Sequence, residues 1–298
     1  MKKYIIITDS CSDLEKEFRD KYNIRYAHNT YSVNGSVSDA NLDWEDRSPK
    51  EFYEIMRSGN RVATSQVNVN EYRKVFSRAI KEGYDILSLS VSTRLSSSYN
   101  ISLQVAKELL ESNPDTKIIC IDTKNACLGL ALLCIRAAEL QEEGKTIEEV
   151  AKWIEDNKQT VHQEATVEKL VYLKQAGRVS ATSAFFGGLL NVKPIIISDV
   201  NGANVAVEKV KGRKASFIRI AERIKEKIVD VPYQRILLGH ADCLDDALEL
   251  KRIIQETISQ KLDIRISYIG QIIGASTGPG TLGVYFYGTE ETYDSDKK

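Results

Sequence analysis

The first half of the chain alternates short apolar runs, at 4–7, 86–91 and 117–121, with amphipathic stretches at 13–22, 99–110 and 128–142. That alternation predicts parallel strands joined by helices. Helix starts carry their own chemistry: Ser12 with Glu15, and Thr146 with Glu149, each fit a capping box, and Pro49 after Ser48 takes the first helical position. Residues 31–37 alternate around Asn34-Gly35, which predicts a β-hairpin inserted beside the main sheet at about 27–43.

The second half has a different texture. Ile195-Ile196-Ile197 and Val205-Ala206-Val207 flank Asn201-Gly202 as an antiparallel pair, followed by a helix at 214–228, a strand at 235–239, a helix at 244–261 and strands at 263–268 and 282–287. A helix at 147–157 puts the seam near 160. The expectation is an α/β protein of two domains: a parallel-sheet N-terminal domain over 1–160 and a smaller mixed α+β domain over 161–288. The polar residues 289–298 are expected to be loose.

Composition narrows the function classes. A chain of 298 residues has room for two domains of about 150 residues, each with a core. With 42% hydrophobic and 28% charged residues and a net charge of -1, neither disorder nor a nucleic-acid partner is expected. No apolar run approaches the roughly 18 residues of a membrane span. Met1 to Asp9 reads as a first strand rather than a signal peptide. The five cysteines, at 11, 120, 127, 134 and 243, are odd in number and contain no C-x-x-C pair, so neither a disulfide framework nor a zinc site is indicated and a reducing cytoplasm is expected. Cys127 and Cys134 read as small buried apolar residues. The Walker loop, H-E-x-x-H and the EF-hand pattern are absent from the sequence, so no cofactor or metal is expected.

Two well-known patterns overlap near the C-terminus. Gly274-Ala275-Ser276-Thr277-Gly278 fits G-x-S-x-G, and the run from Gly278 to Gly283 fits G-x-G-x-x-G. A dinucleotide cradle needs a helix after its glycines, and Val284-Tyr285-Phe286-Tyr287 are β-formers. A hydrolase elbow at Ser276 needs a histidine later in the chain, yet His28, His162 and His240 all precede it. An acyl-ester hydrolase using Ser276 therefore stays only as an alternative with an unusual chain order.

Hydroxyl residues instead cluster where strands should end: Thr64-Ser65-Gln66, and Ser92-Thr93 with Ser96-Ser97-Ser98. Parallel α/β sheets bind ligands at the carboxyl ends of their strands. Hydroxyls and free amides gathered there can donate to an anion such as a carboxylate, although helix capping uses the same residues for the same reason.

Several clusters occur together in a fixed order: Thr8-Asp9-Ser10 with Asp13-Leu14, Thr64-Ser65-Gln66, Leu95-Ser96-Ser97-Ser98-Tyr99, Asp122-Thr123, Leu173 to Arg178, Lys193-Pro194 and residues 270–288. As a set, spanning nearly the whole chain, they resemble the DegV family of bacterial fatty-acid-binding proteins. That resemblance implies two α/β domains holding a long-chain fatty acid between them, with the tail in an apolar tunnel. By matching position, Thr64 and Ser96 would hydrogen-bond the carboxylate, with Ser65 and Ser97 beside them. Backbone N–H groups of Gly274, Ala275, Ser276 and Thr277 would serve its remaining lone pairs. The protein would be a carrier with no catalytic residue of its own, presenting the acid to a separate fatty acid kinase that makes an acyl phosphate. Arg178 would sit near the transferred phosphoryl group. Residues 184–190, together with Ile272 and Ile273, are the expected tunnel wall. A tail of about sixteen carbons grosses on the order of 12 kcal/mol before binding costs.

The chain also departs from the family's pattern. Many relatives carry histidine where Ser276 stands, proline at Val67 and glycine at Ser97. A sugar- or phosphate-binding module is a third, weaker alternative.

Overall fold

The computed structural model describes residues 3–179, 191–258 and 262–297. The first half runs β1 (Tyr4–Asp9), α1 (Lys16–Tyr22), β2 (Arg25–Ala27), β3 (Asn29–Val33), β4 (Ser36–Ala40), α2 (Pro49–Arg57) and β5 (Val62–Ser65). It continues through α3 (Val69–Lys81), β6 (Asp85–Ser90), α4 (Ser98–Ser112), β7 (Ile118–Asp122), α5 (Cys127–Glu142) and α6 (Ile147–Asn157). The second half runs β8 (Val161–Thr166), α7 (Leu170–Ala176), β9 (Val192–Ser198), β10 (Asn204–Lys211), α8 (Arg213–Lys227) and β11 (Ile236–His240). It ends with α9 (Leu244–Thr257), β12 (Ile264–Tyr268), α10 (Gln271–Thr277) and β13 (Leu282–Tyr287).

The strands form three sheets. A wholly parallel sheet has the order β2-β1-β6-β7, and its central strands β1 and β6 are buried along their whole length, as strands covered on both faces must be. A mixed six-stranded sheet has the order β10-β9-β8-β13-β11-β12. The expected hairpin is present: Val33 pairs with Ser36 across Asn34 (φ 51°) and Gly35 (φ 85°), the left-handed pair that a two-residue hairpin turn needs. β5 pairs antiparallel with the other edge of β3, so the hairpin becomes a three-stranded sheet that carries Thr64 and Ser65.

The helix at 128–142, expected to be amphipathic, is instead buried nearly all round, with Leu130, Leu133, Cys134 and Ala137 fully enclosed. It lies between the sheets, packing on β1 and β6 from one side and on β8, β11 and β13 from the other. A helix apolar on all sides belongs in a core. Through it one hydrophobic cluster joins Leu87 and Leu89 of the first half to Leu237, Ile269 and Tyr285 of the second. Tyr53 adds a hydrogen bond across the halves, donating to the Ile269 carbonyl at 2.6 Å.

Two expectations fail for physical reasons. Ser12 and Glu15 form no capping box: Ser10–Ser12 is a 3-10 turn ending at a left-handed Asp13 (φ 48°), and α1 starts four residues later than Ser12. The last ten residues are not loose over the part described. Their backbone bonds to the end of α8, the turn before β8 and the loop after β9, with Thr289 N to Lys227 O at 2.9 Å, Glu291 N to Gln159 O at 2.9 Å and Val200 N to Tyr293 O at 3.0 Å. Asp296 then pairs with Arg94 of the first half.

At α6 the capping box is formed in both directions, Glu149 N to Thr146 Oγ1 at 3.2 Å and Thr146 N to Glu149 Oε2 at 2.8 Å. Thr146→Ala is expected to cost about 1 kcal/mol and lower the unfolding midpoint by about 2 °C, with ligand binding unchanged. Thermal unfolding monitored by circular dichroism checks it.

Candidate functional site

The carboxyl ends of β5 and β6 open onto a cleft of about 370 Å³. Thr64 and Ser65 come from the end of β5, Ser96 and Ser97 from the turn into α4, and Ile272, Ile273, Ser276 and Thr277 from α10 of the second half. Arg178, just past the α7 cap residue Gly177 (φ 64°), stands exposed on its rim. A smaller annex of about 110 Å³ continues from it past Thr64, Arg178, Ser276 and Ala275 to Tyr172 and Met56. A larger hollow of about 700 Å³ lies at the opposite, amino ends of the parallel strands, around Lys3, Tyr4, Asp85 and Lys117, and holds none of the hydroxyl clusters. Open α/β sheets bind ligands at carboxyl ends, so the smaller cleft is the candidate site.

Local electrostatics suit an anion. The cleft's charged lining residues are Arg178 and Arg94, the latter offset by its pair with Asp296, and the amino end of the 15-residue α4 begins at Ser97, whose side chain makes no capping bond. Asp122 shapes the loop that carries Arg94: its carboxylate accepts from Thr93 Oγ1 at 2.6 Å, Thr93 N at 3.2 Å and Lys124 Nζ at 2.7 Å. Burial pushes the Asp122 carboxyl up, but the bonds from Lys124 and Thr93 outweigh it and hold the group below its ordinary range. Beneath the cleft Asp9 accepts from Cys11 N and Val91 N, each at 2.9 Å, and burial raises its carboxyl to about 6.

The glycine-rich segment differs from its expected role. Residues Gly274 to Thr277 lie in α10, so their amides belong to its helical ladder; Gly274 N donates to Gly270 O at 2.8 Å. Gly274 does not line the cleft; a Cβ there would stand 2.3 Å from Tyr53 Oη, so its smallness admits that ring. Gly278 (φ 85°) does the same for Tyr172, whose ring carbon would be 2.1 Å from an added Cβ. What the segment offers a ligand is side chains. Ser276 Oγ and Thr277 Oγ1 donate to the Ile272 and Ile273 carbonyls at 3.4 and 3.0 Å, contacts a rotating hydroxyl can exchange for a ligand oxygen.

Ser276 lacks a nucleophile's setting. It sits in the last turn of a helix rather than at a strand-to-helix elbow, and no histidine lines the cleft among the described residues. His28 pairs with Glu71, His162 contacts the Thr289 carbonyl, and His240 Nδ1 accepts from Cys243 N at 3.2 Å. Among the described residues no group of three or more His, Cys, Asp or Glu is placed to hold a metal, and no helix is long and apolar enough to cross a membrane. The five cysteines are unpaired. Sequence reasoning missed Asn29 and Asn204 on the cleft wall, where no local pattern marks a strand asparagine as inward-facing. The expected tunnel wall at 184–190 lies outside the described residues.

The sequence and the fold both match known proteins. The family described as "Uncharacterised protein, DegV family" matches residues 3–289. The chain belongs to the DegV family. A DegV domain-containing protein of Clostridium perfringens is 40% identical over 288 residues, covering 97% of this chain and 98% of that one. Among solved DegV structures, one from Thermus thermophilus described as fatty-acid binding is 26% identical with a TM-score of 0.85, covering 97% of this chain and all of that one (100%). A stearic-acid-binding protein from Eubacterium ventriosum is 25% identical with a TM-score of 0.84, covering 95% of this chain and 98% of that one. Solved DegV proteins thus bind fatty acids, and this chain shares their mixed α/β fold.

Proposed function

We propose that this protein binds a long-chain fatty acid in the cleft between its halves, with the carboxylate on the hydroxyls of Thr64 and Ser96. The observation that carries the reading is that convergence: two hydroxyl clusters from separate strand ends meet in one cleft whose far wall includes the apolar Ile272 and Ile273. Hydroxyls orient a carboxylate while tail burial supplies affinity, at about 0.8 kcal/mol per methylene. Ser65, Ser97, Ser276 and Thr277 complete the headgroup pocket, Ala275 borders its annex, and Gly274 supports it from behind. The protein acts as a carrier in the cytoplasm, where its unpaired cysteines stay reduced. A separate fatty acid kinase takes the exposed carboxylate to an acyl phosphate, with the Arg178 guanidinium on the cleft rim offsetting the phosphoryl charge.

Protein purified from cells, denatured and extracted is expected to release a long-chain fatty acid detectable by mass spectrometry. Repeated recovery of empty protein that takes up no added acid would overturn the reading.

A further inference from the structure

Behind the cleft wall, the fully buried Ser98 ties together the segments that carry the headgroup hydroxyls. Its Oγ accepts the Val67 amide at 3.1 Å, and Asn29 Nδ2 approaches the same oxygen at 3.5 Å. The Asn29 amide is oriented by two further contacts. Its Nδ2 donates to the Ser65 carbonyl at 3.3 Å, and its Oδ1 faces the Cys11 thiol at 3.7 Å. Both approaching nitrogens can only donate, so they occupy the two lone pairs of Ser98 Oγ.

The remaining neighbour of Ser98 is Ser96 Oγ, 3.0 Å away. With its lone pairs taken and its side chain fully buried, Ser98 must send its own proton to Ser96, since the reverse direction would strand a buried hydroxyl proton without an acceptor. The Ser98 backbone amide also donates to Ser96 Oγ, at 3.3 Å. Ser96 therefore accepts twice within this chain of bonds, and its own proton is left with the cleft as its outlet.

We infer that Ser98, held by Asn29 and Val67, is a positioning residue that fixes Ser96 as a hydrogen-bond donor to the ligand and so makes the site selective for an acceptor-only headgroup. A carboxylate accepts such a bond and brings no proton of its own. A fatty alcohol of the same length accepts that bond more weakly, because its oxygen is uncharged, and the proton it brings finds no acceptor on Ser96 or Ser98. The same chain of bonds fixes β5 relative to α4, because Asn29 holds the Ser65 carbonyl while Ser98 holds the Val67 amide. The inference rests on the fatty-acid reading above.

The test compares hexadecanoate with hexadecanol by calorimetric titration into lipid-stripped wild type, Ser98→Ala, Ser98→Thr, Ser96→Ala and the Ser96→Ala/Ser98→Ala pair. Ser98→Ala is expected to weaken the acid about tenfold and the alcohol less than about twofold, with Ser98→Thr restoring the acid because it keeps the hydroxyl. In the Ser96→Ala background, Ser98→Ala is expected to change the acid no further. An unchanged acid-to-alcohol ratio in Ser98→Ala, or additive losses from the two alanine changes, would overturn the role of Ser98. Wild type taking up neither ligand would instead overturn the fatty-acid reading on which it stands.

Discussion

The Thr64→Val/Ser96→Ala variant is expected to bind a long-chain fatty acid at least a hundredfold more weakly than wild type, while still binding it. A hydrogen bond from a hydroxyl to a charged carboxylate is worth about 1.5–3 kcal/mol, so losing two costs about 3–6 kcal/mol, or roughly a hundred- to ten-thousandfold. The apolar tail is untouched by either change, which is why binding weakens without vanishing. Both substitutions should leave the protein folded, although Ser96→Ala takes from the buried Ser98 hydroxyl its acceptor, at a cost of about 1–3 kcal/mol in stability. Valine copies the shape of threonine and suits a strand, and Ser96 is only partly buried. Titration of hexadecanoate, with the unfolding midpoint measured in parallel, checks both halves of the expectation. Unchanged affinity in a folded variant would move the headgroup to another part of the cleft.

What makes that double variant informative is that its two residues are far apart in the chain and neighbours in space. Each cluster could be found in the sequence, because a strand followed by hydroxyls and then a helix is a local pattern. Their convergence could not be found locally. It depends on β5 joining β3 from the far edge of the hairpin, and on Ser98 and Asn29 tying that edge to α4. The same division runs through the fold. The hairpin turn and the α6 cap are settled by neighbouring residues and were legible. The burial of α5 over most of its surface is settled by two sheets closing over it, which periodicity within 128–142 does not report. The glycines of 270–283 misled in an instructive way. A glycine marks a close approach, and the sequence does not say of what; here the approaching groups are the rings of Tyr53 and Tyr172 rather than an anion. The Ser12 cap failed because Asp13 turns left-handed to reach into the seam between the halves.

That buried aspartate leads to an expected pH effect: wild type should lose stability between about pH 4 and pH 7 relative to Asp13→Asn. Asp13 Oδ2 accepts from the Cys127 thiol at 3.0 Å, and Gly270 of the second half crowds Oδ1 so closely that a Cβ there would stand 2.3 Å away. Oδ1 has no hydrogen-bond partner of good geometry. Burial pushes the Asp13 carboxyl up to about 7; the Cys127 thiol and Gly270 amide pull it back, and the nearby Asp9 carboxylate pushes it further. An unfolded aspartate titrates near 3.8. The folded state therefore keeps a proton that the unfolded chain releases, so the stability linked to this group is fully present below about pH 4 and is lost as pH rises through about 7. At about 1.4 kcal/mol per pKa unit, the loss attributable to Asp13 is on the order of 4 kcal/mol. Asp9, raised to about 6 by burial, acts in the same direction, whereas His240, held below its ordinary value by burial, acts in the opposite one. Both are common to wild type and variant, so the difference between the two isolates Asp13. Asparagine keeps an acceptor for Cys127 and carries no charge at any pH. The variant should match wild type within about 1 kcal/mol at pH 4 and exceed it by about 4 kcal/mol at pH 8, as read from urea unfolding across the range. Parallel stability profiles for the two proteins would mean that the Asp13 proton is not linked to folding.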